Sequence, residues 1–270
     1  MILIWTFATV GGIMRPYIGI TDFTASEQVD LLMRYFEDYP NTKRMLHVGV
    51  MTSYKQLHGL PSKWQNVFPK SSEIADIFQR DDVYNCLHYA DYDGHPGLRQ
   101  TLGKAIISGG PKLHSLQLDM IWPDPDAIRS AIEDTGNVTD VILQINKFAM
   151  GQCQEQPHLV ARRLKSYQGI VTRVLLDKSM GRGAGLDARL LTTYARAIVE
   201  TIPEIGLGVA GGLGPSTLYL LDPLIKAFPN ISIDAQSRLR PSGSALAEPI
   251  DWDMAGLYLK RSIEYFAANA

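Results

Sequence analysis

The stretch Gly206–Arg240 reads GLGVAGGLGPSTLYLLDPLIKAFPNISIDAQSRLR. An apolar run, Leu207–Ala210, runs straight into Gly211-Gly212, and Pro215-Ser216 has the composition of a helix start. A second β-branched run, Ile231–Ala235, ends in a Ser237-Arg238 turn. Bare amides at a Gly-Gly turn and at a helix N-terminus suit an anion. In parallel (β/α)8 barrels, the loops after strands 7 and 8 are where a substrate phosphate usually sits. The stretch therefore predicts a barrel and a phosphorylated ligand, with phosphate contacts from Gly211, Gly212, Gly214, Ser237 and Arg238. The same glycines would also serve a tight turn for backbone reasons alone.

Working outward, eight strand-like runs emerge: Tyr17–Thr21, Met45–Val50, Val83–His88, Leu116–Met120, Val141–Ile145, Val171–Asp177, Leu207–Ala210 and Ile231–Ala235. Helical patterns lie between them. Ser26–Tyr39 opens on a Ser cap site, Ser71–Arg80 on Ser-Ser-Glu, and Asp124–Asp134 on Asp-Pro-Asp. Leu186–Glu200 and a final Asp251–Ala267 complete the set. Strands alternating with helices mean right-handed βαβ units and a parallel sheet. No Gly-x-Gly-x-x-Gly follows the first strand, which argues against a dinucleotide fold and leaves an open doubly wound sheet as the alternative. The expectation is an α/β protein with one (β/α)8 barrel over residues 14–270 and an extension over residues 1–13.

Composition sets the outer limits. The chain has 270 residues, enough for one barrel of about 250. It is 46% hydrophobic and 20% charged, which suits a soluble globular protein with a large core. Lys and Arg number 26 against 28 Asp and Glu, a net charge of −2 with no basic block, so nucleic acid is not an expected partner. Met1–Val10 is apolar but lacks a basic leader and is far shorter than the roughly 20 residues that span a membrane. A weak signal peptide is the lesser reading of that segment. Only Cys86 and Cys153 occur, without Cys-x-x-Cys spacing, so a reduced, cytoplasmic setting is expected. A homodimer is the one assembly left open.

Catalytic groups in a barrel lie at the C-terminal ends of the strands. That rule selects Asp22, His88, Asp91, Asp119, Lys147, Asp177 and Asp234. A carboxyl among apolar walls can keep its proton and act as an acid. Asp22 precedes a helix and could equally serve the helix dipole. His88 and Asp91 lack a third ligand at characteristic spacing, so no metal and no cofactor are expected. Asp177 is the strongest candidate, since it ends Val-Leu-Leu-Asp and precedes Met180–Gly185. That glycine-rich segment could close over a ligand, bringing Arg182, Gly183 and Gly185 to it.

With these residues assembled, the chain resembles phosphoribosylanthranilate isomerase. The likeness rests on Tyr17–Val29, on Leu175–Asp187, and on Gly208–Ser216 with Ile233–Ser237. It implies a phosphate-binding barrel, an aldose–ketose type isomerisation, and Asp177 as general acid. The family's general base, a cysteine just before the first-strand glycine, corresponds here to Ile18. The family's His at the end of strand 4 corresponds to Asp119, and its Ser-Gly after strand 8 to Ser237-Arg238. The resemblance thus leaves the base to Asp22, Asp119 or His88. Two other readings stand beside it: a Schiff-base aldolase using Lys178 or Lys147, and a barrel that binds a phosphorylated ligand without turnover.

Overall fold

The computed structural model describes residues 9–10, 13–137, 140–178 and 186–269. Eight parallel strands close into one barrel: β1 (Tyr17–Thr21), β2 (Met45–Ser53), β3 (Tyr84–Asp91), β4 (Ser115–Met120), β5 (Asp140–Asn146), β6 (Arg173–Asp177), β7 (Gly206–Ala210) and β8 (Ser232–Ala235). Each pairs with the next in sequence, and β8 returns to pair with β1 through Ile233–Ile18 and Ala235–Ile20. The chain is a (β/α)8 barrel. Thr9–Val10 and Ile13–Met14 form a separate two-stranded antiparallel ladder.

Side-chain alternation with period two sorts every strand into an outer and an inner face. Ile18, Ile20, Leu46, Val48, Leu116 and Leu118 join the outer core, packed against the helices. Tyr17, Met45, Tyr84, Cys86, Ile142 and Leu175 form a smaller cluster of their own inside the barrel. The outer layer contains α1 (Ser26–Glu37), α2 (Leu98–Gly109), α3 (Pro125–Thr135), α4 (Pro157–Leu164), α5 (Ala188–Thr201) and α6 (Trp252–Ala268), with shorter turns elsewhere.

Three local expectations need correction. The α1 N-cap is Ala25 rather than Ser26, because the Gln28 side chain reaches back to the amides of Thr24 (2.8 Å) and Ala25 (3.1 Å). The helix expected over 71–80 shrinks to Ile74–Ile77, since Glu73 turns its carboxylate back to Lys70 and makes no cap bond. No helix opens at Pro215-Ser216. Thr217 closes that segment as a turn, its hydroxyl accepting from Gly214 N (2.9 Å) and donating to Gly212 O (2.8 Å). A 3-10 turn, Leu218–Leu221, and the helix Asp222–Ala227 follow only afterwards.

Candidate functional site at the barrel mouth

Inward positions at the C-terminal ends of the strands converge on a cavity of about 80 Å³. Its wall holds His88, Asp119, Gln144, Asp177 and Asp234 beside the Gly211-Gly212 turn. Gly211 and Gly212 have φ of 109° and 68°, a backbone that a side chain would strain, so glycine is required to bring amides this close to the cavity. Beyond Met51, Asp119, Gln236 and Ser237 the cavity adjoins a groove of about 980 Å³, walled by Tyr54, Trp64, Phe68 and Tyr92.

A hydrogen-bonded row crosses four neighbouring strands. Gln117 Nε2 lies 3.2 Å from His88 Nε2 and donates to Gln144 Oε1 (3.0 Å), whose Nε2 donates to Asp177 Oδ2 (3.2 Å). Burial holds His88 neutral by pulling its pKa down to about 4, although the charge of Asp22 pulls the other way. Opposite this row, Asp234 accepts from Thr21 Oγ1 (3.0 and 3.2 Å). Burial lifts Asp234 to about 7, the Thr21 bond opposes that rise, and the charges of Asp177 and Asp22 add to it. Asp119 is also raised, by burial, against hydrogen bonds from Tyr92 and Asn146 (3.3 Å to the latter).

The other expected residues fall less uniformly. Asp22 does not line the cavity: it is held in a buried ion pair with Arg240 Nη2 (2.5 Å) and takes Gln236 Nε2 on both oxygens (3.1 Å). Its φ of 92° is set by its turn out of β1. Ser237 lines the cavity, but Arg238 is exposed and does not, because Gly214 packs against its backbone and Cβ. Gly214 shapes that contact, and its amide is taken by Thr217. Arg182, Gly183 and Gly185 lie outside the described residues. Lys178 pairs with Glu155 (3.7 Å) and Lys147 lies 5.0 Å over the Phe148 ring; neither lines the cavity.

Ile18 faces the helices in the outer core. The inward neighbour is Gly19, where an added Cβ would stand 2.7 Å from Asp234 Oδ1. Gln117, Gln144, Gln236 and Arg240 join the site although the strand-end rule does not select them. The first two sit at alternate positions with the Asp119 and Asn146 strand ends, a period-two signal that was available. Arg240 carried none, since its partner Asp22 is 218 residues away. Among the described residues, no group of three or more His, Cys, Asp or Glu side chains could hold a metal ion, and no helix is long and apolar enough to cross a membrane.

No protein-family model matches the chain, and no curated protein sequence does. Solved structures do. A Toxoplasma gondii protein assigned as a deoxyribose-phosphate aldolase is 10% identical at a TM-score of 0.47, over 84% of this chain and 91% of that one. Orotidine 5'-monophosphate decarboxylase from Methanocaldococcus jannaschii is 12% identical at 0.47, over 93% and 98%. Triosephosphate isomerase from Bartonella henselae is 10% identical at 0.46, over 91% and 99%. What they share with this chain is the barrel.

Proposed function

We propose that the mouth is the active site of an isomerase acting on a phosphorylated sugar, with Asp234 and Asp177 as its proton-transfer pair. The observation that carries this reading is two carboxyls, one of them lifted by burial, in one small cavity beside a Gly-Gly turn. Asp234 keeps its proton to about pH 7, partly because Asp177 is charged nearby. Opening and isomerising an aldose ring needs a proton given to the ring oxygen and one taken from carbon. Two groups whose environments push them apart serve those two roles. Asp234 is then the acid and Asp177 the base, the reverse of the role the family resemblance implies for Asp177. The phosphate rests on the Gly211-Gly212 amides and Ser237, with Asp22 and Arg240 bracing the turn from behind.

Ribose 5-phosphate should raise the melting temperature and free ribose should not. Gly212→Asp should abolish the protection by charge and bulk. Asp177→Asn and Asp234→Asn should each cost about 10²–10⁴ in turnover, followed by NMR of aldose phosphates in D2O. Equal protection by ribose would refute the phosphate assignment. Protection without turnover of any aldose phosphate would leave a ligand-binding barrel. Phosphoribosylanthranilate itself should turn over weakly or not at all, because position 18 faces away from the mouth. Complementation of a tryptophan auxotroph lacking that isomerase, dependent on Asp177, would overturn this expectation.

A further inference from the structure

The groove beside the cavity contains a second acid–base arrangement, built on the last residue of β3. Asp91 is almost fully buried, its side chain 2% exposed. Its Oδ1 accepts from the amides of Asp93 (3.1 Å) and Gly94 (3.2 Å), and its Oδ2 from the amide of His95 (3.2 Å) and from Tyr89 Oη (3.3 Å). His95 Nδ1 stands 2.8 Å from Oδ1. Every other group facing the carboxyl is a donor, and Nδ1 joins them: with Nδ1 donating to Oδ1, Nε2 presents a lone pair. The ring is fixed further by stacking on Tyr54, with centroids 3.8 Å apart and planes 5° from parallel. The His95 side chain is 24% exposed and lines the groove, which also runs past Asp119, Gln236 and Ser237 into the cavity. No described residue takes its Nε2. An imidazole oriented at one nitrogen by a buried carboxylate and open at the other is a proton-transfer group awaiting a substrate.

The cavity is far too small for a whole sugar phosphate, whose sites run to about 300 Å³ and above. A ligand with its phosphate at Gly211-Gly212 therefore extends its far end into the groove. We propose that His95, oriented by Asp91, removes the proton of the anomeric hydroxyl when a ring-form aldose phosphate opens in this site. The step rests on the phosphate-binding reading above. Asp234 gives its proton to the ring oxygen as the bond to the anomeric carbon breaks. His95 Nε2 takes the hydroxyl proton as the carbonyl forms, and the imidazolium is held against Asp91. One proton enters and one leaves, so no co-reactant is needed. The substrate class is narrowed to aldose phosphates with a free anomeric hydroxyl.

Ring opening and reclosure exchange the two anomers, and NMR exchange spectroscopy on ribose 5-phosphate reads that rate whether or not a ketose is formed. The protein should accelerate anomer exchange. His95→Gln and Asp91→Asn should each slow the catalysed exchange 100-fold or more, with thermal protection by ribose 5-phosphate unchanged. His58→Gln is the control: His58 stacks on the other face of Tyr54 and bonds Thr101, away from the groove wall. It should exchange like the wild type. Because Asp91 also ties down its loop, His95→Gln is the deciding variant if Asp91→Asn melts early. Intact protection with undiminished exchange in His95→Gln, or no catalysed exchange in the wild type, overturns the role of His95 alone. Absence of any protection by ribose 5-phosphate overturns the phosphate site first, and this proposal with it.

Discussion

Asp234 holds its proton to about pH 7, whereas in the unfolded chain it releases it near 3.8. Between those values the folded state binds the extra proton, so this group makes stability fall as pH rises through about 4 to 7, and nothing further above it. The size is on the order of 4 kcal/mol, from about three pH units at 1.36 kcal/mol each. His47 and His88, pulled down to about 3 and 4 by burial, act oppositely below 6.5 because the unfolded chain binds their protons. The prediction is therefore for a difference. Urea unfolding of Asp234→Asn against wild type should show the variant gaining relative stability from pH 4.5 to pH 8. Parallel curves would mean that Asp234 ionises normally. At the same scale, Asp22 and Arg240 are a buried pair, with side chains 4% and 1% exposed. Asp22→Ala should cost about 3–5 kcal/mol by leaving the guanidinium uncompensated, and adding Arg240→Met should recover much of that. Additive losses in this double-mutant cycle would deny the coupling.

The element proposed as the phosphate seat is a pair of turns pressed together. Gly214 allows it: an added Cβ would stand 2.8 Å from Arg238 Cβ and 3.1 Å from Arg238 O. Its φ is not in the left-handed region, so Gly214→Ala tests the close approach without straining the backbone. The substitution should cost about 1–3 kcal/mol as the turns after β7 and β8 are forced apart. It should weaken protection by ribose 5-phosphate more than it lowers stability would account for, when measured at equal distance from each protein's own melting temperature. Retained affinity would mean that the turn after β8 contributes nothing to the seat. The same region shows where local signals mislead. Pro215-Ser216 looks like a helix start, but Thr217 satisfies the neighbouring backbone groups in a turn, and the helix waits for Asp222.

Closure of the whole barrel depends on contacts between the two ends of the chain. Ser232 Oγ accepts from Tyr17 N (3.0 Å), 215 residues away, and from Arg173 Nη1 (2.6 Å). Arg173 is buried inside the barrel, and it also donates to the backbone carbonyls of Leu207 (3.4 Å) and Arg15 (3.0 Å). Removing the hydroxyl leaves a charged donor and an amide short of an acceptor in the interior. Ser232→Ala should lower stability by about 2–3 kcal/mol and move the urea midpoint without changing the slope of the transition. A changed slope would indicate that β1 and β8 come apart before the rest.

The amino-acid sequence by itself determined the order and number of the eight strands, because each strand-like run pairs in space with the run that follows it in sequence. It also determined that Asp177, Asp234, Asp119 and His88 stand at the mouth, since the end of a parallel strand is a local property. Period-two alternation could have added Gln117 and Gln144. Helix bounds were less legible, because caps are settled by individual side-chain bonds such as Gln28 to Ala25. Only the tertiary structure decided the surroundings of each carboxyl. Asp22 and Asp234 are both acids at strand ends, yet one faces Arg240 and the other faces Thr21 and burial. Those partners come from the adjacent strand across the barrel's closure, more than 200 residues along the chain, and no local pattern encodes a contact that appears only when β8 meets β1.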